Sequence, residues 1–203
     1  MLRLADGLWD GQPVYVVGGG PSLKNFKWDR LEKQHVIATN CAYQTCPWPE
    51  TILFARDRRW MVEFSKRSDY RQHKGTKVYH RVEPGSFTGV HYHLGESTEW
   101  GWHLWEGLVW CRNTGLAGLH LADVLGGNPI YLLGFDMKGE NGQTVNWHRQ
   151  YRSSWTAPDA VYREYVDEFV KYRQAWRGRV YNLCVNGGLA PHLRTKDVDE
   201  VLP

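Results

Sequence analysis

Three glycines that directly follow an apolar segment are the residues of this chain with the clearest chemical meaning. Residues 14–17 read Val-Tyr-Val-Val, and the chain continues with Gly18, Gly19, Gly20, Pro21 and Ser22. Glycine permits a sharp turn and leaves no side chain between the main chain and a ligand. The N–H groups of such a turn can hold a phosphate, especially where a helix begins after it. We predict a nucleotide-phosphate loop over residues 18–22; the alternative is a tight strand-to-helix turn without a ligand.

The loop differs from two common phosphate-binding motifs. No Gly-Lys-Ser or Gly-Lys-Thr follows it, so it is not a Walker loop. The third glycine of the usual dinucleotide fingerprint would fall at Leu23. The loop by itself therefore does not name the nucleotide.

A second candidate anion site lies where the chain reads Arg112-Asn113-Thr114-Gly115 and a predicted helix begins. Thr114 is a suitable N-cap, and the first N–H groups of a helix have no partner within it. We predict that Asn113, Thr114 and Gly115 contribute to nucleotide binding. An ordinary cap beside a surface arginine is the alternative.

Asp136 and His148 are the candidate catalytic residues. Asp136 follows a predicted strand, where its carboxylate could bind a divalent metal, a ribose hydroxyl or a base edge. His148 lies in a polar segment, and histidine acts as a general base because its pKa lies near neutrality. A solvated loop histidine is the alternative. His91 and His93 would share one face of a strand, but they lack a well-spaced cysteine or acidic partner, and we predict no metal site.

The apolar residues predict the strands and helices that must position these candidates. Short continuous apolar runs alternate along the chain with segments whose apolar residues recur at helical spacing. This pattern predicts an α/β fold with a mostly parallel sheet and helices on both faces. The predicted strands are residues 14–17, 35–39, 51–55, 77–80, 130–133 and 179–183, and the predicted helices are residues 26–32, 57–66, 114–125 and 158–177. Residues 138–157 are predicted as a mobile polar loop. Residues 84–107 are predicted as an irregular insert in a single domain that spans residues 1–203.

Several polar groups fall at the ends of the predicted strands. In open parallel sheets, ligands bind beyond the carboxyl ends of the strands. The groups at these ends are the glycine loop, Asn40, Asp57, Asp136 and Asn182. One of them alone could be a structural cap, but five at one edge predict a binding site.

Composition narrows the function classes. The 203 residues are 42% hydrophobic, carry a formal net charge of +3, and include 11 Trp and 11 Tyr, most of which we expect in the core. The chain contains no apolar run that could span a membrane and no secretory signal at its start. Its four cysteines form no Cys-x-x-Cys pair, which fits a reducing compartment. We predict a cytoplasmic protein without a membrane partner, whose mild charge permits an anionic ligand.

Taken in order, the motifs resemble those of two related families. Residues 18–22 resemble the G-x-G-P-S loop of the Campylobacter-type sialyltransferases and of the 6-hydroxymethylpterin diphosphokinase-like proteins, which include phage members. Asn40, the pair Thr114-Gly115 and the strand end Gly134-Phe135-Asp136 are similar to positions that both groups share. Residues 180–184 are similar to the second group. The resemblance covers roughly residues 13–190.

Each family implies a different chemistry. The sialyltransferases imply a Rossmann-like fold, a cytidine nucleotide-sugar donor, no required metal, and a catalytic histidine after the Gly-x-Asp strand, which His148 matches. Tyr151 is the candidate for one of their phosphate-binding tyrosines, whereas Gly19 replaces the asparagine usual in their loop, which puts a sialyl donor in question. The diphosphokinase-like proteins imply ATP, a pterin and Mg²⁺ held by carboxylates, for which Asp136 is available.

We therefore predict a nucleotide-sugar-dependent glycosyltransferase that needs no cofactor. His148 would deprotonate the acceptor hydroxyl, while Asn40 and Asp136 would orient the ribose or the base. The alternatives are an ATP-dependent diphosphokinase that uses Mg²⁺ and a non-catalytic nucleotide-binding module. The acceptor stays open between a glycan and a nucleic acid such as modified DNA, and the oligomeric state stays open as well.

Overall fold

A parallel β-sheet forms the centre of the computed structural model, which describes residues 2–80, 87, 89–148, 151 and 157–202. Eight strands form this sheet, and all neighbours in it are parallel. They are β1 (Val14–Val17), β2 (His35–Thr39), β3 (Ile52–Ala55), β4 (Thr76–His80), β5 (Tyr92–Leu94), β8 (Ile130–Leu133), β9 (Val180–Asn182) and β10 (Arg194–Thr195). The strands β6 (Glu96–Ser97) and β7 (Leu108–Val109) pair in a separate ribbon.

The central strands are buried on both faces of the sheet. Val14 and Val16 of β1 pack into one hydrophobic core, whereas Tyr15 and Val17 pack into the other. Successive side chains of a strand point to opposite faces, so a sheet covered on both sides requires apolar residues at every position. This is why these strands appear in the sequence as continuous apolar runs.

Helices cover both faces. α1 (Arg58–Phe64), α2 (Ser68–Gln72) and α5 (Val198–Val201) pack on the face that holds Tyr15, whereas α3 (Thr114–Val124) and α4 (Val161–Tyr172) pack on the face that holds Val14. The described residues also contain the 3₁₀ helices Pro21–Asn25, Trp28–Leu31, Asn40–Thr45 and Leu104–Glu106. The predicted α/β class is thus confirmed. No helix among the described residues is long and apolar enough to cross a membrane.

Several predicted boundaries differ from the structure. Residues 21–31 form two 3₁₀ helices in place of the single short helix predicted at residues 26–32. The predicted helix over residues 158–177 is α4, which has 12 residues. The segment predicted as an irregular insert contains β5, which extends the main sheet beyond β4; its residues 84–86 and 88 lie outside the described part of the chain.

The order of the strands places a crevice at the glycine turn. The sheet order is β10-β9-β8-β1-β2-β3-β4-β5. From β1 the chain therefore builds the sheet in one direction through β2 to β5, and in the other direction through β8 to β10. Between β1 and β8 the connections diverge, and ligands of open parallel sheets bind at such a switch point. Both the glycine turn after β1 and the turn that carries Asp136 after β8 lie at this point.

Candidate functional site

A cleft of about 780 Å³ lies at the carboxyl edge of the sheet, above this switch point. Its walls are the glycine turn, the residues after β2 and β3, the start of α3, part of the loop after β8, and α4. Nine of the residues predicted to act in the site line it: Gly18, Gly19, Gly20, Asn40, Asn113, Thr114, Gly115, His148 and Tyr151. The other three, Pro21, Ser22 and Asp136, lie next to the cleft and are described below.

The glycine turn uses most of its own N–H groups to join the sheet. The N–H groups of Gly18 and Gly20 donate to the carbonyl oxygens of Leu133 and Gly134, at 2.7 and 2.8 Å. Pro21 has no N–H, and Ser22 donates its own to Asp136. Among the described residues of this turn, Gly19 is therefore the one whose N–H remains available to a ligand. The turn offers one donor to a phosphate, not the full cradle that three glycines suggest.

Asp136 holds the glycine turn in place from the neighbouring strand end. Its carboxylate accepts hydrogen bonds from the Ser22 N–H at 3.2 Å and from the Ser22 hydroxyl at 2.8 Å. Pro21 occupies the first position of the 3₁₀ helix, so Ser22 lies inside the helix and is not its N-cap. The Asp136 carboxylate thus holds the glycine turn, and Asp136 is not among the described residues that line the cleft. Its catalytic role stays a prediction.

Two further polar groups at the strand ends also hold backbone. Asp57 caps α1, accepting from the N–H groups of Arg59 and Trp60 at 2.7 and 3.3 Å. Asn182 is fully buried and bonds both the N–H and the carbonyl oxygen of Cys184. The edge predicted to carry five ligand-binding groups thus combines a cleft with several structural caps.

The start of α3 supplies the remaining backbone donors of the cleft. Asn113, not Thr114, is the N-cap, and its side-chain oxygen accepts from the Leu116 N–H at 3.1 Å. The N–H of Ala117 donates to the Asn113 carbonyl. The first N–H groups of a helix have no partner within it, and the residues that carry them here, Thr114 and Gly115, both line the cleft.

The loop after β8 folds back onto the glycine turn through Trp147. The Trp147 N–H donates to the Gly19 carbonyl at 2.9 Å, and its indole N–H donates to the Gly18 carbonyl at 3.3 Å. The Trp147 ring also packs on Trp28, with 4.9 Å between centroids. These contacts carry the next residue, His148, to the cleft. Residues 149–150 and 152–156 of the predicted mobile loop lie outside the described residues.

His148 is held in an enclosed position. Its ring meets those of Trp147 and Tyr151 edge to face, with centroids 5.1 and 4.7 Å away. Burial lowers the pKa of His148 to about 4, because the imidazolium would lose its hydration. Burial likewise raises the pKa of Tyr151 well above its usual value. At neutral pH both side chains are therefore uncharged, and His148 can accept a proton.

Asn40 has an unusual backbone conformation at the end of β2. Its φ angle is +48°, in the left-handed region that side chains rarely adopt. Its side-chain oxygen is buried without a hydrogen-bond partner. An unsatisfied buried polar atom in a cleft is a feature of ligand sites.

Sequence reasoning missed two groups of cleft residues. Arg56, Arg58 and Arg59 follow β3, and Tyr162 and Tyr165 project from α4. The sequence Arg-Asp-Arg-Arg directly after an apolar strand could have indicated the first group, because residues at that end of a strand lie beside the cleft. Tyr162 and Tyr165 fall within the helix predicted at residues 158–177; burial raises the pKa of both, and both line the cleft.

The side chains that could bind a metal are dispersed among the described residues. Within the described residues, no three His, Cys, Asp or Glu side chains come together in a way that could hold a metal ion. His91 instead accepts a hydrogen bond from the Lys77 N–H through its Nδ1 atom. The two cleft-edge carboxylates, Asp57 and Asp136, are both bonded to backbone N–H groups.

Comparison with known proteins gives a likeness of fold. The chain matches no protein-family model and no curated protein sequence. Among solved structures it is similar to the MAf glycosyltransferase from Magnetospirillum magneticum, with a TM-score of 0.64 and 13% identity over 98% of this chain. The chain spans only 35% of the length of that protein.

Two sialyltransferase structures are also similar. The sialyltransferase CST-II in complex with a trisaccharide acceptor and CMP matches 91% of this chain and 86% of its own length, with a TM-score of 0.54 and 13% identity. CstII from Campylobacter jejuni in complex with cytidine-5'-monophosphate matches 92% of this chain and 85% of its own length, with a TM-score of 0.53 and 13% identity. At this identity the likeness establishes the fold, and it confirms the Rossmann-like architecture predicted from the resemblance to sialyltransferases.

Proposed function

We propose that this protein transfers a sugar from a nucleotide-sugar donor to an acceptor hydroxyl. The observation that carries the proposal is the meeting of three groups in one cleft at the switch point: the Gly19 N–H, the first N–H groups of α3, and His148. The fold likeness to glycosyltransferases and sialyltransferases supports the same conclusion at the level of architecture.

The backbone donors would bind the leaving phosphate. The N–H groups of Gly19, Thr114 and Gly115 lie in one wall of the cleft, and the dipole of the 11-residue helix α3 adds partial positive charge there. Negative charge develops on the phosphate oxygen as the bond to the sugar breaks. Fixed donors at that position stabilise the transition state without reorganising.

His148 would act as the general base. As the acceptor oxygen forms its bond to the anomeric carbon, its proton passes to the imidazole, and the bonding electrons of the departing group stay on the phosphate. The low pKa keeps His148 neutral and ready at pH 7. A bound donor brings a phosphate anion near the ring, which raises the pKa of His148 and makes it a stronger base.

The hydrogen bonds that the Asp57 and Asp136 carboxylates already accept favour glycosyl transfer over diphosphate transfer. Phosphoryl transfer from ATP normally relies on Mg²⁺, held by carboxylates, to neutralise the phosphates. Asp57 and Asp136 already accept hydrogen bonds from backbone N–H groups. Of these two carboxylates only that of Asp57 belongs to a residue that lines the cleft, and four arginines line it as well: Arg56, Arg58, Arg59 and Arg112.

A thermal-shift screen tests the proposal. Purified protein is heated with CMP, UMP, GMP, ATP and the sugar conjugates of each nucleotide, with Mg²⁺ or with EDTA. We expect one nucleotide sugar to raise the Tm equally in both conditions, and that donor to be consumed when an acceptor is supplied. Strict dependence on Mg²⁺ with ATP would instead favour the diphosphokinase. A nucleotide sugar that binds and is never consumed with any acceptor would favour a binding module.

A further inference from the structure

A second pocket, of about 250 Å³, lies at the opposite end of α3 from the cleft. The first residues of α3 line the cleft, whereas Asp123 and Val124 at its C-terminal end line this pocket. Segments that are distant in the chain form its walls: residues 6–7 and 10–11, residues 102–103, residues 123–124 and 126–128, and residues 177–178. Among the described residues, none lines both the pocket and the cleft. A ligand held here would therefore be distinct from the proposed substrates.

Hydrogen bonds between these segments fix the walls of the pocket. Asp123 is only 2% exposed, and its carboxylate accepts from the N–H groups of Arg177 and Gly178, at 3.2 and 3.0 Å. Asp6 accepts from the Leu104 N–H at 2.9 Å. These bonds join segments that lie 54 and 98 positions apart, so the fold sets the positions of both carboxylates.

Arg177 presents a positioned cation to the pocket. Its guanidinium carbon lies 4.4 Å from the centre of the Trp102 ring, and one Nη atom donates to the Trp102 carbonyl at 3.3 Å. A guanidinium has five N–H donors in a planar fork, and in the described part of the chain no acceptor engages the others. Such a fork can donate two parallel hydrogen bonds to one carboxylate. This wall of the pocket therefore suits an anionic group.

Two exposed carboxylates line the pocket as well. No described residue donates a hydrogen bond to the Asp10 carboxylate. Asp6 has one partner at each oxygen, the Leu104 N–H and, at 2.8 Å, His103 Nδ1. Burial alone would raise the pKa of Asp6, but these two bonds and the positive charges of His103 and Arg177 hold it below its usual value. Ionised carboxylates with spare lone pairs suit an ammonium group, which has three N–H donors.

The opposite charges in the pocket do not neutralise each other. The Arg177 guanidinium forms no ion pair with the three aspartates that line the same pocket: Asp6, Asp10 and Asp123. Its charge is nevertheless close enough to lower the pKa of Asp6. A molecule with one positive and one negative group can therefore contact both sides at once, whereas a simple anion or cation contacts only one.

We propose that this pocket binds a free α-amino acid, with Arg177 on its carboxylate and Asp6 and Asp10 on its ammonium group. An α-amino acid carries both charged groups on one carbon atom, so it can bridge the two sides of a small pocket. The pocket has about a third of the volume of the cleft, 250 against 780 Å³, which suits a ligand of this size. The inference does not rest on the proposed function, because it concerns a different set of residues.

Matched ligands that lack one charge test this proposal in the full chain at neutral pH. Ethylammonium is L-alanine without its carboxylate, and propionate is L-alanine without its ammonium group. Isoamylammonium and 4-methylpentanoate bear the same relation to L-leucine. Binding is followed by NMR through the indole N–H resonance of Trp102, assigned with Trp102→Phe. We expect at least one of the two amino acids to bind at least about tenfold more tightly than both of its matched ligands, because hydrogen bonds to charged groups contribute strongly.

Every other result overturns the proposal. Amino acids that bind no more tightly than their carboxylate analogues would show simple anion binding by Arg177. Amino acids that bind no more tightly than their ammonium analogues would show simple cation binding by the aspartates. No shift of the Trp102 resonance with either amino acid would show that the pocket does not bind this class of ligand.

Two variants that each remove one charge assign the binding to the pocket. Arg177→Gln should lower the affinity for the amino acid toward that of its ammonium analogue, and Asp10→Asn toward that of its carboxylate analogue. Arg173→Gln and Asp167→Asn are the matched controls, because both residues are exposed in or next to α4 and neither lines the pocket. Both controls should keep the wild-type affinity. Wild-type affinity in a folded Arg177→Gln variant would refute the assignment.

Discussion

At the scale of single residues, His148 is the side chain whose surroundings bear most directly on chemistry. A positioned general base contributes roughly 10²–10⁴-fold to a rate. We therefore expect His148→Ala to lower turnover by about that factor while donor affinity changes little. Asn146→Ala is the matched control, because Asn146 lines the cleft on the same loop and does not titrate. Wild-type turnover in His148→Ala would reject its role as the base.

The pKa of His148 also sets a pH profile. In the free protein burial lowers this pKa to about 4, so His148 is deprotonated from about pH 5 upward. We expect kcat/KM to fall only below about pH 5, well under the usual histidine range near 6.5. The limb of kcat should lie at higher pH, because the bound donor phosphate favours the imidazolium. A kcat/KM limb near pH 6.5 would show that His148 is not buried when it reacts.

Close packing, and not an unusual backbone angle, explains why position 20 is a glycine. Its φ is −68°, so no positive φ is required there. A Cβ atom at this position would overlap the Asp136 carboxylate and lie 2.6 Å from the Gly134 carbonyl oxygen. We expect Gly20→Ala to lower the free energy of unfolding by roughly 1–3 kcal/mol, measured by urea denaturation.

Gly19→Ala provides the comparison for this prediction. A Cβ at Gly19 would meet the end of the Asn146 side chain, with 2.6 Å to its Oδ1 atom. The end of the Asn146 side chain can rotate away, whereas the Gly134 carbonyl next to Gly20 is backbone and cannot, so Gly19→Ala should cost less stability than Gly20→Ala. Equal stability of Gly20→Ala and the wild type would contradict the packing described for this turn.

At the scale of elements, the loop after β8 is fastened to the glycine turn by one tryptophan. Trp147→Phe keeps the backbone bond to Gly19 and the ring packing, but removes the indole bond to Gly18. We expect a loss of about 0.5–1.5 kcal/mol in stability. Turnover should fall further than that loss suggests, because His148 follows Trp147 directly and becomes less well positioned.

Trp28→Phe separates the hydrogen bond from the ring contact. Trp28 packs on Trp147, so this variant trims the packing while both bonds to the glycine turn remain. Turnover should change less than in Trp147→Phe when both are measured at saturating donor. The reverse order would indicate that ring packing, and not the indole bond, positions His148.

At the scale of the whole molecule, buried neutral histidines make stability depend on pH. His120 is fully buried on α3; its Nδ1 accepts from the Val109 N–H and its Nε2 donates to the Gly101 carbonyl, both at 2.8 Å. Burial lowers the pKa of His120 to about 4 and that of His80 to about 3. The folded protein therefore resists protonation at these sites.

Stability should fall as the pH is lowered from about 6.5. The unfolded chain binds a proton at His120 near pH 6.5, whereas the folded chain does so only near pH 4, so unfolding takes up protons between these values. By pH 5 this one residue costs about 2 kcal/mol of stability relative to neutral pH. Urea denaturation from pH 5 to 8 measures the slope. His120→Gln, whose amide can both accept and donate, should flatten it by about one proton, and an unchanged slope would contradict the assignment.

Much of the fold is predictable from short stretches of sequence. The strands at residues 14–17, 35–39 and 130–133 appear where apolar runs predict them. Asp57 caps α1 as its position after β3 predicts. These features depend on backbone preferences and burial patterns within a few residues, which the local sequence carries. The sequence also predicts a helix over residues 114–125, and α3 occupies Thr114–Val124.

The sequence by itself determined the α/β class, the glycine turn and the candidate residues of the cleft. Only the tertiary structure decided what each of these residues contacts. Ser22 and Asp136 bond across 114 positions, which leaves Gly19 and the start of α3 as the backbone donors of the cleft. The Arg56 guanidinium likewise packs on the ring of Trp110, which comes from a distant part of the chain. The physical reason is that such contacts depend on the order of strands in the sheet and on burial, and burial fixes both the available donors and the pKa of His148.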